Sequence, residues 1–176
     1  NLWFSDEANA TATYGHISDW NTSAVTNMSS AFWGKSIFND NIGNWDVSSV
    51  TNMIGMFNGA TSFNQPIGDW DTSSVTNMIG MFRSATLFNQ DISDWDTSNV
   101  INMNTMFYSA PSFNQPIGSW DVSKVSNMGG MFTGVKVFNQ NLSDWNITAV
   151  SDMGKMFQHA SALSDTNKGK IHEAFS

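Results

Sequence analysis

Aspartate residues recur on both sides of a tryptophan that returns at a constant spacing along the chain, and they are the first candidates for chemistry. The eight that flank the tryptophan positions are Asp19, Asp46, Asp69, Asp71, Asp94, Asp96, Asp121 and Asp144. Clustered carboxylate oxygens suit Ca²⁺, but the spacing is not that of a glycine-containing calcium loop. We therefore predict that the aspartates after each tryptophan cap the following turn, that those before it are solvated, and that no metal or other cofactor is bound.

The remaining titratable groups give no catalytic pattern. His16, His159 and His172 are the only imidazoles, and none has the spacing of a metal site or of a nucleophile motif. The paired carboxylates repeat along the chain, whereas an active site needs one cavity in which an acid and a base differ in environment. There is no cysteine, which excludes thiolate sites and disulfides. We predict that the protein is not an enzyme.

One position of the repeat varies more than any other, and its residue types suit binding. It is occupied in turn by Trp33, Asn58, Arg83, Tyr108, Thr133 and Gln158. Trp, Arg and Tyr dominate binding hot spots, although drift on a solvated face would also produce variation. The predicted ligand-binding residues are Trp33, Arg83 and Tyr108, together with Lys35 and Lys136 in the loop that follows.

The same period organises the rest of the chain, because Trp, Val, Met and Phe all recur in one constant register. The tryptophans of this register are Trp20, Trp45, Trp70, Trp95, Trp120 and Trp145. A period of about 20 to 29 residues indicates a solenoid in which each unit buries its apolar face against its neighbours. We predict an α/β repeat solenoid, a right-handed leucine-rich-repeat-like stack of six coils with the tryptophans inside.

Within one unit, Val75, Met78, Phe82 and Ala85 are spaced three or four residues apart. This spacing predicts an inward face on a short helical or 3₁₀ turn, and Asp71 offers a side-chain acceptor at its start. The eleven methionines and thirteen phenylalanines largely follow the same period, so we expect them in the core and not around a cofactor.

Short strands are expected between the loops and the turns. Residues 67–72 carry the β-favouring Ile67 and Trp70, and a second pairing segment is expected near residues 75–78. Stacking of the coils about 4.8 Å apart would join these strands into a parallel sheet. Two asparagine columns are expected to be buried ladders that bond loop backbone: Asn27, Asn52, Asn77, Asn102 and Asn127, and Asn39, Asn64, Asn89, Asn114 and Asn139.

The unbroken period predicts one elongated domain with distinct ends. Residues 1–15 are expected to form an N-terminal cap, residues 16–163 the six-repeat solenoid, and residues 164–176 a capping helix whose Ile171 and Phe175 pack on the last coil.

Charge and hydropathy exclude two classes of partner. The formal net charge is −8 and the seven Lys and Arg are scattered, so no nucleic acid is expected. No apolar stretch is long enough to span a bilayer, so no membrane insertion by this chain is expected. The first residues do not form a secretion signal, and export signals are therefore expected to lie outside this sequence or to have been removed.

Residues 63–82, FNQPIGDWDTSSVTNMIGMF, resemble the repeat of BspA-like leucine-rich-repeat surface proteins, which is also found in mycoplasma surface lipoproteins and marine bacterial secreted proteins. The resemblance covers about residues 16–163. Ala31 in the first unit and Leu163 in the sixth depart from the pattern, as array ends would. The resemblance implies an extracellular or cell-surface protein of recognition or adhesion, with no catalytic residue.

Three functions are compatible with the repeat pattern and with the resemblance. The first is a non-catalytic adhesion module that binds a protein or glycan on a host, prey or matrix surface. The second is a structural spacer or fibre-tip domain of a larger surface protein. The third is ice binding, for which the candidate strip is the β-branched column Thr22, Val47, Thr72, Thr97, Val122 and Ile147.

Overall fold

Helices lie at the two ends of the chain in the computed structural model, which describes residues 2–175. At the N-terminal end are α1 (Leu2–Ser5), α2 (Glu7–Tyr14) and a 3₁₀ helix (Ile17–Asp19), and at the other end is α3 (Asp165–Ala174). Between them the chain forms a repeat solenoid, in which each coil makes the same hydrogen bonds to its neighbours as the coil before it. Within residues 2–175 no helix is long and apolar enough to cross a membrane.

The coils contact one another through isolated parallel bridges instead of strands. The bridges run through one asparagine column and its final aspartate: Asn27, Asn52, Asn77, Asn102, Asn127 and Asp152. They lie in the second predicted pairing segment, near residues 75–78. The strand predicted at residues 67–72 is wrong, because a tight turn from the Ile67 carbonyl to the Trp70 amide (3.3 Å) bends the chain there.

The segment after each bridge, which we call the turn segment, spans residues 53–60 and the equivalent positions of the other coils. In it, Met53, Gly55, Phe57 and Gly59 donate their backbone amides to carbonyls of the next coil at 2.8 to 3.0 Å. The amides of Met56, Asn58 and Ala60, which lie between or after these, instead donate to carbonyls of their own coil at 3.0 to 3.2 Å and close tight turns. Hydrogen bonds within and between coils therefore alternate along the segment.

This alternation corrects the predicted helical or 3₁₀ turn. Two positions in each turn segment have positive φ, as at Gly55 (57°) and Gly59 (73°). Helical backbone needs negative φ at every residue, so no helix forms. The predicted inward face is nevertheless present, since Val75, Met78, Phe82 and Ala85 are all buried. Tight turns and helical turns share a spacing of three to four residues between inward side chains.

The core consists of aromatic rings stacked along the array. The Phe82 ring lies 3.9 Å from that of Phe88 in its own coil, and 5.5 and 5.7 Å from those of Phe57 and Phe107 in the adjacent coils. Each buried ring removes a large apolar area from water, which stabilises a stack of coils that lack regular secondary structure.

The tryptophans bond each coil to the one before it. The indole Nε1 of Trp95, which is 3% exposed, donates to the Ile67 carbonyl at 2.9 Å, and the tryptophans from Trp45 to Trp145 repeat this bond. Trp20 differs from the prediction: it is only partly buried and donates to the Gly15 carbonyl, because the residues that pack before it are those of the helical end and not of a coil.

The two asparagine columns make hydrogen bonds of different kinds, and neither column is buried as predicted. Asn77 accepts from the Ile79 amide of its own coil at 3.1 Å. Asn64 accepts from the Asn89 amide of the next coil at 2.9 Å. Both columns lie at the margin of the coil, because amide groups that bond loop backbone need not enter the aromatic core.

The ends of the array are covered by helices. Phe4 of α1 contacts Phe32 and Phe38 with edge-on rings, each 5.8 Å away. At the other end, Ser164 caps α3 and Ile171 is buried. The division into a cap at residues 1–15, an array and a cap at 164–176 stays a prediction, and Asn1 and Ser176 lie outside the described residues. The right-handed winding of the six predicted coils is also untested.

We expect the change Trp95→Ala to lower the free energy of unfolding by about 3 to 5 kcal/mol, because it removes a buried ring from a core that cannot close the gap. Trp95→Phe keeps one ring and loses the bond to Ile67 and part of the buried volume, so it should cost less, about 1 to 3 kcal/mol. Urea unfolding of both variants measures the difference. A cost of under about 1 kcal/mol for the alanine variant would contradict the core position of this column.

Candidate functional site

The most variable position of the turn segments forms one column, which we call the turn face: Trp33, Asn58, Arg83, Tyr108, Thr133 and Gln158. Its backbone is fixed by bonds between coils. The Gly34 amide donates to the Asn58 carbonyl at 2.7 Å, and the Gly59 amide donates to the Arg83 carbonyl at 2.8 Å. The side chains of the turn face therefore project from a hydrogen-bonded scaffold and not from a loose loop.

Trp33 is an exposed ring that lies close to a glycine of the next coil. It is 56% exposed. A Cβ atom at Gly55 would lie 3.1 Å from Cε3 of the indole, and Gly55 has a φ of 57°. A side chain at Gly55 would therefore displace the ring. This support was not predicted from the sequence, although the glycine at the third position of the next turn segment signals it.

Arg83 and Tyr108 contact each other on adjacent coils. The guanidinium carbon of Arg83 lies 4.8 Å from the centre of the Tyr108 ring, as in a cation–π pair. Tyr108 is half-buried, and a Cβ atom at Gly130 would lie 3.7 Å from its Cδ2. Tyr108 therefore supports Arg83 and has little free ring surface of its own.

The other predicted site residues are not brought together in the same way. Lys35 stands at the position that Ala60 occupies in the next coil, and its Nζ lies 4.4 Å from the centre of the Phe4 ring of α1. Lys136 is exposed, but it lies in the turn that follows the turn face. Thr133 interrupts the turn face, because it is buried and donates to the Lys155 carbonyl at 2.6 Å.

The column proposed for ice binding does not form a surface. Thr22, Thr72 and Thr97 are buried, as are Val47 and Val122. The Thr72 hydroxyl donates to the Asp96 carbonyl of the next coil at 2.9 Å. The β-branched residues therefore serve packing between coils, and the ice-binding hypothesis loses the strip on which it rested.

The aspartates after the tryptophans accept backbone amides, as predicted, but in tight turns and not at helix starts. The Ser98 amide donates to Asp96 Oδ1 at 2.9 Å. The hydroxyl of Ser98 and then its backbone amide hold the pKa of Asp96 below its ordinary value of 3.8. Equivalent serines lower the pKa values of Asp46 and Asp121. Asp91, in the turn before Trp95, has its pKa lowered in the same way by Ser93. These carboxylates have structural partners.

The carboxylates before the tryptophans are exposed: Asp19, Asp69, Asp94 and Asp144. Across residues 2–175 no three acidic or histidine side chains lie close enough together to hold a metal ion.

A cavity of about 720 Å³ lies at the C-terminal end of the array between the last coil and α3. Its lining is mainly apolar, with Met156, Phe157 and Ile171 among its residues. Among the described residues that line it there is no serine, threonine, cysteine or carboxylate that could act with a base. The cavity therefore has the character of an incompletely covered core end and gives no catalytic arrangement.

We expect stability to fall in acid, because a carboxylate whose pKa is lower in the folded state favours folding only while it is ionised. The loss should begin near pH 4, the unfolded pKa, and continue as pH falls through the lower folded pKa values. Asp96→Asn keeps the Oδ1 acceptor, as Asn21 and Asn146 do in the same column, and should lose less stability between pH 7 and pH 3. Asp69→Asn is the control, and an equal acid response in all three proteins would contradict this assignment.

We also expect a chelator to leave the melting temperature unchanged. The aspartates after the tryptophans accept amide hydrogen bonds and those before them are exposed, so removal of metal should cost nothing. A stack that needed a cation would lose the binding free energy by mass action. Calorimetry with and without excess chelator measures this, and a drop of several degrees would show that a metal is required.

Comparison with known proteins places these coils among related repeats. The family described as "Mycoplasma protein of unknown function, DUF285" matches residues 3–110 and 86–173. No protein with a curated description is significantly similar in sequence. Among solved structures, a leucine-rich repeat protein of T. pallidum is similar with 13% identity and a TM-score of 0.49, over 86% of this chain and 78% of that one.

The family match spans both ends of the array. It confirms the prediction that the repeat is the one found in BspA-like leucine-rich-repeat and mycoplasma surface proteins. This chain belongs to the DUF285 family.

Proposed function

We propose that the protein is a non-catalytic recognition module of a cell-surface or secreted protein, and that it binds a protein or glycan of another surface through the turn face. In this proposal residues 16–163 are the binding array, and residues 1–15 and 164–176 close its ends. Membership of a repeat family found in surface proteins supports the location, and the turn face supports the mode of binding.

The observation that carries the proposal is the contrast between the turn face and the other columns. The tryptophan, methionine and phenylalanine columns are used in the core, and the asparagine columns bond backbone. Nothing in the packing requires Trp33 or Arg83, which are both exposed. Large side chains of the types found in binding hot spots, at positions free of packing demands, favour recognition.

A structural spacer is the second candidate, and the uniformity of the stack favours it. The Trp70 and Trp95 rings are 6.3 Å apart and within 5° of parallel, and the bonds between coils recur at each step. Such an array is a stiff rod that could hold another domain away from a surface. A spacer, however, has no use for a supported arginine and an exposed indole in one column.

We expect the double change Arg83→Ala and Tyr108→Ala to abolish binding while the melting temperature stays close to that of the wild type. Neither side chain lies in the core, so the cost in stability should be within about 0.5 kcal/mol for the exposed Arg83 and modest for the half-buried Tyr108. A glycan array and a panel of whole cells measure binding, and thermal unfolding measures stability.

The matched control changes the opposite edge of the coil, with Asp69, Asp94 and Asp144 each replaced by Asn. This triple variant should bind like the wild type. If it loses binding and the turn-face variant does not, the recognition surface is the acidic edge. If the wild type binds no glycan and no cell type, the spacer function is favoured.

A further inference from the structure

Charge is segregated around the coil. The stretch from the core methionine to the end of the following loop, residues 28–38 and its five equivalents, contains no aspartate or glutamate. It carries Lys35, Arg83, Lys136, Lys155 and His159. The array comprises residues 16–163. All of its carboxylates lie outside this stretch, where Lys124 is the one lysine or arginine. A protein with a formal net charge of −8 therefore has one side that suits an anionic partner.

Three turn-face residues on successive coils form a continuous surface on this side. Trp33 has more than half of its surface exposed, Asn58 is half-buried beside it, and Arg83 is exposed on the next coil. Within residues 2–175 the side-chain amide of Asn58 has no hydrogen-bond partner. In the same range the Arg83 guanidinium has no carboxylate within 4.0 Å, and the one ion pair joins Lys168 and Asp165. The polar groups of this surface are therefore available to a ligand.

Tyr108 places the guanidinium before any ligand arrives. A stacked guanidinium keeps its N–H groups, which lie in its plane, free to donate. A planar carboxylate accepts two such N–H groups side by side, which is the strongest common geometry for this pair. Because Arg83 is already held at 4.8 Å over the Tyr108 ring, it loses less side-chain freedom on binding than an unsupported arginine would.

We propose that the ligand of the turn face is an acidic polysaccharide, a polymer of sugars that carry carboxylate groups, and that it lies along Trp33, Asn58 and Arg83. This inference rests on the proposed function and names its ligand class. A sugar ring covers the Trp33 indole with its C–H face, Asn58 bonds a hydroxyl, and Arg83 holds the carboxylate of a neighbouring sugar. Coils about 4.8 Å apart place Trp33 and Arg83 about 10 Å from each other, so the surface takes a short run of an extended chain.

The shape of the surface favours a sugar over an acidic peptide. A peptide gains affinity from apolar anchors that enter pockets. The best-formed cavities of the described structure lie at the ends of the array, against its terminal helices and loops, and none of them is lined by Trp33, Asn58 or Arg83. A pyranose ring needs only an open aromatic face, and Trp33 on its glycine support supplies one.

The test is calorimetric titration with polygalacturonate, and the matched ligand is the same polymer with its carboxylates methyl-esterified. We expect the wild type to bind polygalacturonate and to bind the ester at least about tenfold more weakly. The uncharged ester cannot accept the two charge-assisted N–H hydrogen bonds that the guanidinium donates to a carboxylate. Arg83→Lys keeps the positive charge but loses the two parallel N–H donors of the guanidinium, and it should weaken binding about tenfold. Equal binding of ester and acid would overturn the proposal.

Further variants separate this site from general attraction to polyanions. Trp33→Ala should abolish or strongly weaken binding, whereas Ile37→Ala, at a side chain that is 91% exposed, should bind like the wild type. Tyr108→Leu should weaken binding of the acid but not the residual binding of the ester, as expected for a positioning residue. If dextran sulfate binds as tightly and Trp33→Ala has no effect, the interaction is ion exchange and the site is wrong.

Two outcomes distinguish this inference from the proposed function. If polygalacturonate does not bind, while whole cells bind through Arg83, the ligand class is wrong and the recognition surface stands. The same holds if polyglutamate binds through Arg83 and polygalacturonate does not, in which case the partner is an acidic peptide. If polygalacturonate binds and the Arg83 and Trp33 variants do not alter it, the turn face is not its site and this inference fails; the proposed function fails as well if the same variants do not alter binding to whole cells.

Discussion

In every coil but the last, alternate backbone amides of the turn segment bond only carbonyls of the next coil, and the remainder of the structure depends on this constraint. A helix would satisfy such amides locally. Here Gly55 and Phe57 bond the carbonyls of Ile79 and Met81, so a single coil would leave a row of donors unpaired. Unpaired buried amides are costly, and the coil is therefore stable only as part of a stack. The same bonds hold equivalent residues of neighbouring coils in register.

Register explains why the core contains so few residue types. Once residues one period apart must lie over one another, a ring in one coil is covered by a ring in the next, and the Phe57, Phe82 and Phe107 rings stack nearly parallel, with interplanar angles of 5° to 7°. The indole Nε1 of Trp95 bonds the Ile67 carbonyl of the preceding coil, so the aromatic core also satisfies loop backbone. Side chains inside the stack are thus constrained at each repeat, and only outward positions are free to vary.

The turn face uses this rigidity. Its side chains stand on backbone bonded to the next coil, and its two rings lie against glycines, Trp33 on Gly55 and Tyr108 near Gly130. A rigid scaffold loses little freedom when it binds, and the periodic spacing of the coils suits a ligand that is itself an extended chain. The carboxylates lie elsewhere on the coil, where Asp96 and its equivalents bond the amides of their own turns. Structure and recognition therefore occupy different sides of the same repeat.

The sequence by itself determined the period, the stacking and the inward columns, because contacts between residues one period apart follow from the register whatever the local backbone does. It also identified the variable column with Trp33, Arg83 and Tyr108. The tertiary structure decided the rest. Spacings of three and four residues fit a helix and a run of tight turns equally well, and only positive φ at positions such as Gly55 distinguishes them. Whether Thr72 faces water or the next coil depends on how neighbouring coils are placed, as does the packing of Lys35 on Phe4. These contacts join distant residues whose relative orientation no local pattern encodes.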